Sequence, residues 1–316
     1  MNRVLIAILL LVLVQSLHAT ATNRVFVTNE QSGSVTVIDG RTLGVITTID
    51  VGDRPQGIDL SPDGSKLYVA VSNENAVKVI DPESLEILRE FGIDPDSEVF
   101  AVHPGGNLYM PNEDRAMTSV IDPDTGLKLA EIEVGLEPEG VAVSPDGKYV
   151  VITSESSNNL HVIQVPEHIV VKEIPVGARP RAATFTEDGK FLYASSEISG
   201  EVQKIDMRTF EIIKKVRIGD DSAKPKDVLL GKDEKFLYVA GGRANAVFVL
   251  DAESLKVLKR IPVGERTWGL AMTRDKKRVF TTDGVSGTVS VIDTEHNEVI
   301  ETIKVGDYPW SLVIDD

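Results

Sequence analysis

The dipeptide Val51-Gly52 returns as Val134-Gly135, Val176-Gly177, Ile218-Gly219, Val263-Gly264 and Val305-Gly306, and Phe91-Gly92 fills the remaining slot. The step between copies is about 42 residues, too long for one helix or strand, so the chain must stack copies of one supersecondary unit. Most copies continue with an X-Pro-X step, a short apolar run and a turn. The turns Ser61-Pro62-Asp63-Gly64, Ser144-Pro145-Asp146-Gly147 and Glu187-Asp188-Gly189 set Asp-Gly between apolar runs. That is a tight-hairpin signal, because Pro presets φ and Gly accepts positive φ.

Each repeat reads as four short strands. In the clearest copy they cover 140–143, 148–153, 160–165 and 170–176. Their apolar residues alternate or run continuously, as in strands covered on both faces, and no stretch has the spacing of three and four that a helix requires. Four antiparallel strands per unit of this length form a propeller blade. First-type strands begin near Ile58, Val99, Val141, Ala183, Val228, Leu270 and Leu312; second-type strands lie near Val25, Leu67, Leu108, Val150, Leu192, Leu237 and Val279. The chain thus starts on a second strand and ends on a first. The expected fold is all-β, a seven-bladed β-propeller of four-stranded antiparallel blades. Its ring is closed by a blade shared between the N- and C-termini, with Ser311 to Ile314 as the inner strand, which removes open edges.

The first residues read as an export signal. Arg3 is followed by the apolar run Val4 to Val14, of signal-peptide length and short for a membrane span. Ala19-Thr20-Ala21 then places small residues at −3 and −1, so cleavage is expected after Ala21, with Ala19 as the alternative. The expected division is a signal peptide over 1–21 and a propeller over 22–316. The mature chain is expected in the periplasm or outside the cell, without membrane insertion. The chain has no Cys, which excludes disulfides, covalently attached haem and Cys-ligated zinc or iron–sulfur sites. A net charge of −16 favours solubility and disfavours nucleic-acid phosphates and anionic membranes as partners.

Val25-Phe26-Val27-Thr28-Asn29, Leu67-Tyr68-Val69-Ala70 and Leu237-Tyr238-Val239-Ala240, with Val-Ile-Asp at 37–39, 79–81 and 291–293, resemble the YVTN family of propeller repeats along the whole mature chain. A narrower resemblance rests on the run Glu137 to Gly147 followed by Thr153-Ser154-Glu155. It also uses Val176 to Arg181 with Ser195-Ser196-Glu197, and Tyr308-Pro309-Trp310. These are similar to seven-repeat propellers associated with pyrroloquinoline quinone (PQQ)-dependent alcohol catabolism. That resemblance implies a periplasmic accessory protein beside a quinoprotein dehydrogenase or transport component, with PQQ as a conceivable ligand. Ser97 and Thr267 depart from the X-Pro-X pattern.

In an antiparallel blade the X-Pro-X steps and the loops after the second strands share one rim, which is where the repeats vary. Around the ring the pairs are Arg54/Gln56, Asp96/Glu98, Glu137/Glu139, Arg179/Arg181, Lys224/Lys226, Arg266/Trp268 and Tyr308/Trp310. An acidic sector is followed by a basic and then an aromatic one. Arg54, Glu137, Glu139, Arg179, Arg181, Lys226, Arg266, Trp268, Tyr308 and Trp310, with Glu155 and Glu197, are therefore the candidate ligand- or partner-binding rim. Arg would fork onto a carboxylate, and Trp or Tyr would stack on a flat body. A purely structural role is the competing reading: Glu30, Glu113, Glu155 and Glu197 can pair with Arg54, Arg179, Arg181 and Lys226, and Trp268 and Trp310 can pack blade on blade.

No catalytic or metal centre is read. Asp94, Asp96 and Glu98 alternate like the start of a calcium loop, but its later Gly and Glu positions hold Val99 and Gly105. The five histidines do not converge in this repeat register. The expected function is a non-enzymatic binding or scaffold protein, accessory to PQQ-dependent alcohol oxidation. The alternatives are a lactonase-like hydrolase, for which Glu137, Glu139 and Glu155 are candidate carboxylates, and a single-stranded nucleic-acid binder, which the net charge opposes.

Overall fold

The computed structural model describes residues 20–316. The export segment, apart from Thr20 and Ala21, lies outside these residues. The described chain forms seven four-stranded antiparallel sheets. Blade 1 takes Pro309–Asp315 as its inner strand and Arg24–Asn29, Ser34–Asp39 and Val45–Asp50 as its outer three. Blades 2 to 7 follow in sequence. Their inner strands are Pro55–Leu60, Ala101–Val102, Pro138–Val143, Pro180–Phe185, Pro225–Leu230 and Thr267–Met272. Closure is as expected, to the residue: Val25 lies opposite Ile314.

Second and third strands are buried on both faces because blades stack face to face. Phe26, Val35 and Val37 of blade 1 pack with Leu67, Val69 and Val71 of blade 2. Val25, Val27 and Ile38 of the same blade pack with Phe280, Val289 and Val291 of blade 7. Each such side chain contributes roughly 1.5–3 kcal/mol by leaving water. The shared blade is thus held on both sides by apolar burial and along its length by strand pairing. In a ring without disulfides, these contacts carry the closure.

Two backbone devices position the mouth. The first residue of every X-Pro-X step is left-handed: Arg54, Asp96, Glu137, Arg179, Lys224, Arg266 and Tyr308 have φ between 43° and 65°. In each, its carbonyl then accepts the N–H of the residue just past the second strand, namely Ser72, Glu113, Glu155, Glu197, Gly242, Gly284 and Glu30 respectively. The second device is a register skip just after the step, between Pro55 and Ile58, Pro138 and Val141, Pro180 and Ala183, Pro225 and Val228, and Thr267 and Leu270. Such bulges re-aim side chains. Here they turn Gln56, Glu139, Arg181, Lys226 and Trp268 toward the axis.

Candidate functional site

The neighbouring blade fixes the bulged backbone. Hydroxyls on second strands donate to the carbonyls of axial residues one blade on: Thr28 to Gln56 (2.7 Å), Thr153 to Arg181 (3.3 Å), Ser195 to Lys226 (2.6 Å) and Thr282 to Trp310 (2.9 Å). Gly140 shows how close the blades come, since a Cβ there would lie 2.1 Å from the Arg181 carbonyl oxygen. The side chains that face the axis are therefore held by two blades each.

The candidate rim residues divide into two rings. Glu139, Arg181, Lys226, Trp268 and Trp310 line a central cavity of about 200 Å³, together with Asp227. Above it Arg54, Glu98, Glu113, Glu155 and Arg179 surround the mouth. Glu137 is exposed and bonds Ser156, away from the axis. Tyr308 is half-buried on the outer ring, and Arg266 reaches inward only to lie 5.1 Å from the Trp268 ring centroid.

A continuous ionic network spans blades 4 to 6. Arg181, 8% exposed, forks between Glu139 and Glu155. Arg179 reaches Glu155 at 2.6 Å and Glu197 at 3.5 Å. Lys226 stands 3.8 Å from Glu197 and 4.0 Å from the Trp268 centroid. Across the ring Arg54 bridges Glu30 at 3.0 Å and Glu98 at 2.6 Å. Structural pairing thus accounts for Glu30 and Glu155, while Glu197 meets Arg179, Arg181 and Lys226 only at 3.5–3.8 Å and its buried Oε2 accepts no hydrogen bond among the described residues. Pairing leaves out Glu113, whose carboxylate bonds no group among the described residues. The Asp94, Asp96 and Glu98 side chains do not converge: Asp94 bonds Lys128 and Ser119, while Glu98 bonds Arg54. Trp268 and Trp310 touch across blades 7 and 1, centroids 6.0 Å apart, yet both remain partly open to the cavity.

Burial moves two groups in opposite directions. The Glu113 carboxyl is pushed up to about 8, first by desolvation and then by Glu139, Glu98 and Asp96. The Lys226 ammonium is pushed down to about 7, first by desolvation, with Glu139 and Glu197 opposing and Arg181 and Arg179 reinforcing. At neutral pH the mouth therefore holds a proton donor and a partly free amine. Perturbed groups of this kind are candidates for acid–base chemistry; Lys226 lines the central cavity and Glu113 the ring above it. Asp227 is held up at about 6 by burial, even though it accepts the Leu270 and Val228 amides.

The posts just past the second strands differ by sector. Four blades carry Glu (30, 113, 155, 197) and one Ser72, but blades 6 and 7 carry Gly242 and Gly284. A Cβ at Gly284 would come 3.1 Å from Trp268 Nε1, and one at Gly242 2.9 Å from the Lys224 carbonyl oxygen. Glycine at these two posts lets the Lys226 and Trp268 side chains lie directly against the rim backbone, since a Cβ at Gly242 would also come 3.1 Å from Lys226 Cγ. Sequence reasoning placed Glu113 among structural pairs and passed over Gly242, Gly284 and Asp227. The two glycines in a position otherwise filled by Glu or Ser were the signal available for this close packing.

Comparison with known proteins bears on this mouth. Residues 167–299 match the family described as lactonase, 7-bladed beta-propeller. The uncharacterized protein YncE of Salmonella typhi is 39% identical over 59 residues, 19% of this chain and 17% of that protein, so the match spans about a sixth of that relative. Among solved structures, a putative 6-phosphogluconolactonase from Bacteroides fragilis superposes with a TM-score of 0.81 at 18% identity, covering 94% of this chain and 99% of that one. Kuenenia stuttgartiensis hydrazine synthase gives 0.78 at 21% identity, covering 89% and 99%. At these identities the structures establish the seven-bladed fold. The lactonase-family match corrects the expectation of a non-enzymatic scaffold accessory to PQQ-dependent oxidation: the similarity is to a family of enzymes. That expectation rested on the resemblance to propellers of PQQ-dependent catabolism and on the asymmetric rim, and a rim of mixed charge serves a binding protein and an enzyme equally.

Proposed function

We propose that this chain is a hydrolase that opens lactone rings in the central mouth. The observation that carries the reading is the span of the lactonase-family match. It includes Arg179, Arg181, Glu197, Lys226, Arg266 and Trp268, the cationic and indole half of the mouth.

Lactone hydrolysis needs a water deprotonated as it attacks the ring carbonyl, support for the resulting oxyanion, and a proton for the departing ring alkoxide. The Lys226 amine, free in part at neutral pH, takes the proton from water. The indoles of Trp268 and Trp310 line the cavity, and their N–H groups bond no acceptor among the described residues, which leaves them available to donate to oxygen. The protonated Glu113 supplies the alkoxide as the C–O bond breaks. The product is a hydroxy acid, whose new carboxylate is repelled by Glu139 and Glu155 and leaves by the open mouth. Arg181, tied to Glu139 and Glu155, holds those carboxylates in place.

The test is turnover of a panel of five- and six-membered lactones, followed by base uptake. The rate should be bell-shaped, rising as Lys226 deprotonates through about 7 and falling as Glu113 ionises through about 8. We also propose export to the periplasm, supported by the apolar run Val4 to Val14 and the small residues at Ala19 and Ala21.

A further inference from the structure

Asp315 ends the inner strand of the shared blade and is 7% exposed. It has no cationic partner among the described residues. Arg24 lies opposite it in register but spends its guanidinium on the carbonyls of Pro82 and Glu83. The carboxylate's hydrogen bonds come from Thr22: its backbone N at 2.7 Å and its Oγ1 at 2.6 Å, both onto Oδ2. Both of these donors are neutral, and a positive charge on either would turn a neutral-donor bond into an ion pair at a buried carboxylate. Thr22 is also the residue that follows the small-residue pair Ala19 and Ala21.

We infer that the chain is processed between Ala21 and Thr22 and that the new α-ammonium of Thr22 docks on Asp315 as an ionic clamp on the shared blade. This rests on the export reading and is independent of the lactonase reading. A signal-peptide-cleaving serine–lysine-type protease supplies the catalysis and water is the co-reactant. Water adds across the Ala21–Thr22 amide, Ala21 leaves as a carboxylate, and the Thr22 amine takes a proton, as α-amines do below roughly pH 8. The donor already aimed at Oδ2 becomes charged without moving. Hydrogen bonds to charged groups are the stronger class. The clamp sits where strand Arg24–Asn29 meets strand Pro309–Asp315, the seam that closes the ring. The uncleaved chain keeps the amide contact but lacks the charge, so removal of the leader itself completes closure.

The test begins with the intact mass of the exported protein. A mature start at Thr22 is expected; a start at Thr20 overturns the inference. Next, the chain starting at Thr22 is compared with the same chain whose α-amine is acetylated, and with one that keeps Thr20-Ala21. Both blocked forms should melt at least ~2 °C lower, as expected for loss of one charge-assisted bond in a domain of this size. Asp315→Asn should erase the difference between free and acetylated forms. Equal midpoints for free and acetylated chains overturn the clamp, and that comparison stands alone if Asp315→Asn fails to fold.

Discussion

On the hairpin face, Asp63 accepts bonds from Ser61 Oγ, the Ser65 amide and Ser65 Oγ, and these hold its carboxyl down at about 2. Asp146 and Asp188 are held at about 2 in the same turn, chiefly by Lys148 and Lys190, with Ser144 and Thr186 adding hydroxyl bonds. On the opposite face, Glu113 is pushed up to about 8 and Glu98 is raised, both first by desolvation. The same seven repeats build both faces. Where a tight turn needs an acceptor for its own amides, these repeats keep an Asp and satisfy it locally, and the blade-3 turn uses His103 Nδ1, which accepts the Gly105 amide, in its place. At the mouth the backbone is equally repetitive, with seven left-handed X residues and seven matching carbonyl bonds, while the side chains diverge and some charges go uncompensated. Uniformity follows what the turn requires; divergence marks the face whose side chains are free to serve a ligand.

That contrast can be broken at several points. The largest effect is expected from Lys226→Met, which should lower kcat/KM on a responsive lactone by ~10²–10⁴-fold, the usual worth of a general base, with the melting midpoint held or raised. Steady-state kinetics beside calorimetry separates the two. Glu113→Gln should cost about 10²-fold in kcat and abolish the alkaline limb, leaving the rise through about 7. A surviving fall near 8 would assign that limb to another group. At the hairpin face Asp63→Ala should leave kinetics unchanged and cost about 1 kcal/mol of stability, through loss of its turn bonds. Gly284→Ala presses on the Trp268 indole and should raise KM about threefold with kcat little changed.

The two faces should also respond oppositely to acid. The hairpin Asp residues have folded pKa values below their unfolded ones. Their stabilisation is complete above about 4 and is lost as pH falls toward about 2. Glu113 has its folded value above its unfolded one, so the folded state binds more protons between roughly 4.5 and about 8, and stability falls as pH rises through that window. Asp227 does the same between 3.8 and about 6. Thermal melts of wild type and Glu113→Gln should therefore diverge between pH 5 and 8, with the variant the more stable at the upper end by a Tm difference of ~2 °C.

Much of the scaffold was legible before any coordinates. The Val-Gly period, the Asp-Gly turns and the strand count led to a ring in which Val25 meets Ile314, and that pair is in register. The rim sectors were legible too, because Arg181, Lys226 and Trp268 occupy one repeat position. Side-chain direction within the rim was not legible. Glu137 and Glu139 flank the same Pro, yet one is exposed and the other lines the cavity, a distinction made by the bulge at Pro138 to Val141. Nor could the sequence separate Glu113 from Glu155. Both end second strands, but only Glu155 meets guanidinium groups from the next blade. Pairing across blades depends on distances that a repeat pattern does not carry, and the proposed chemistry of the mouth depends on that pairing.

The most direct measurement is the pH–rate profile of lactone hydrolysis by the purified protein beside Lys226→Met. Turnover with limbs near 7 and 8, lost in a Lys226→Met variant that still melts as wild type, is the expected result. Absence of turnover on every five- and six-membered lactone, or turnover that survives Lys226→Met with its profile intact, would contradict a catalytic mouth.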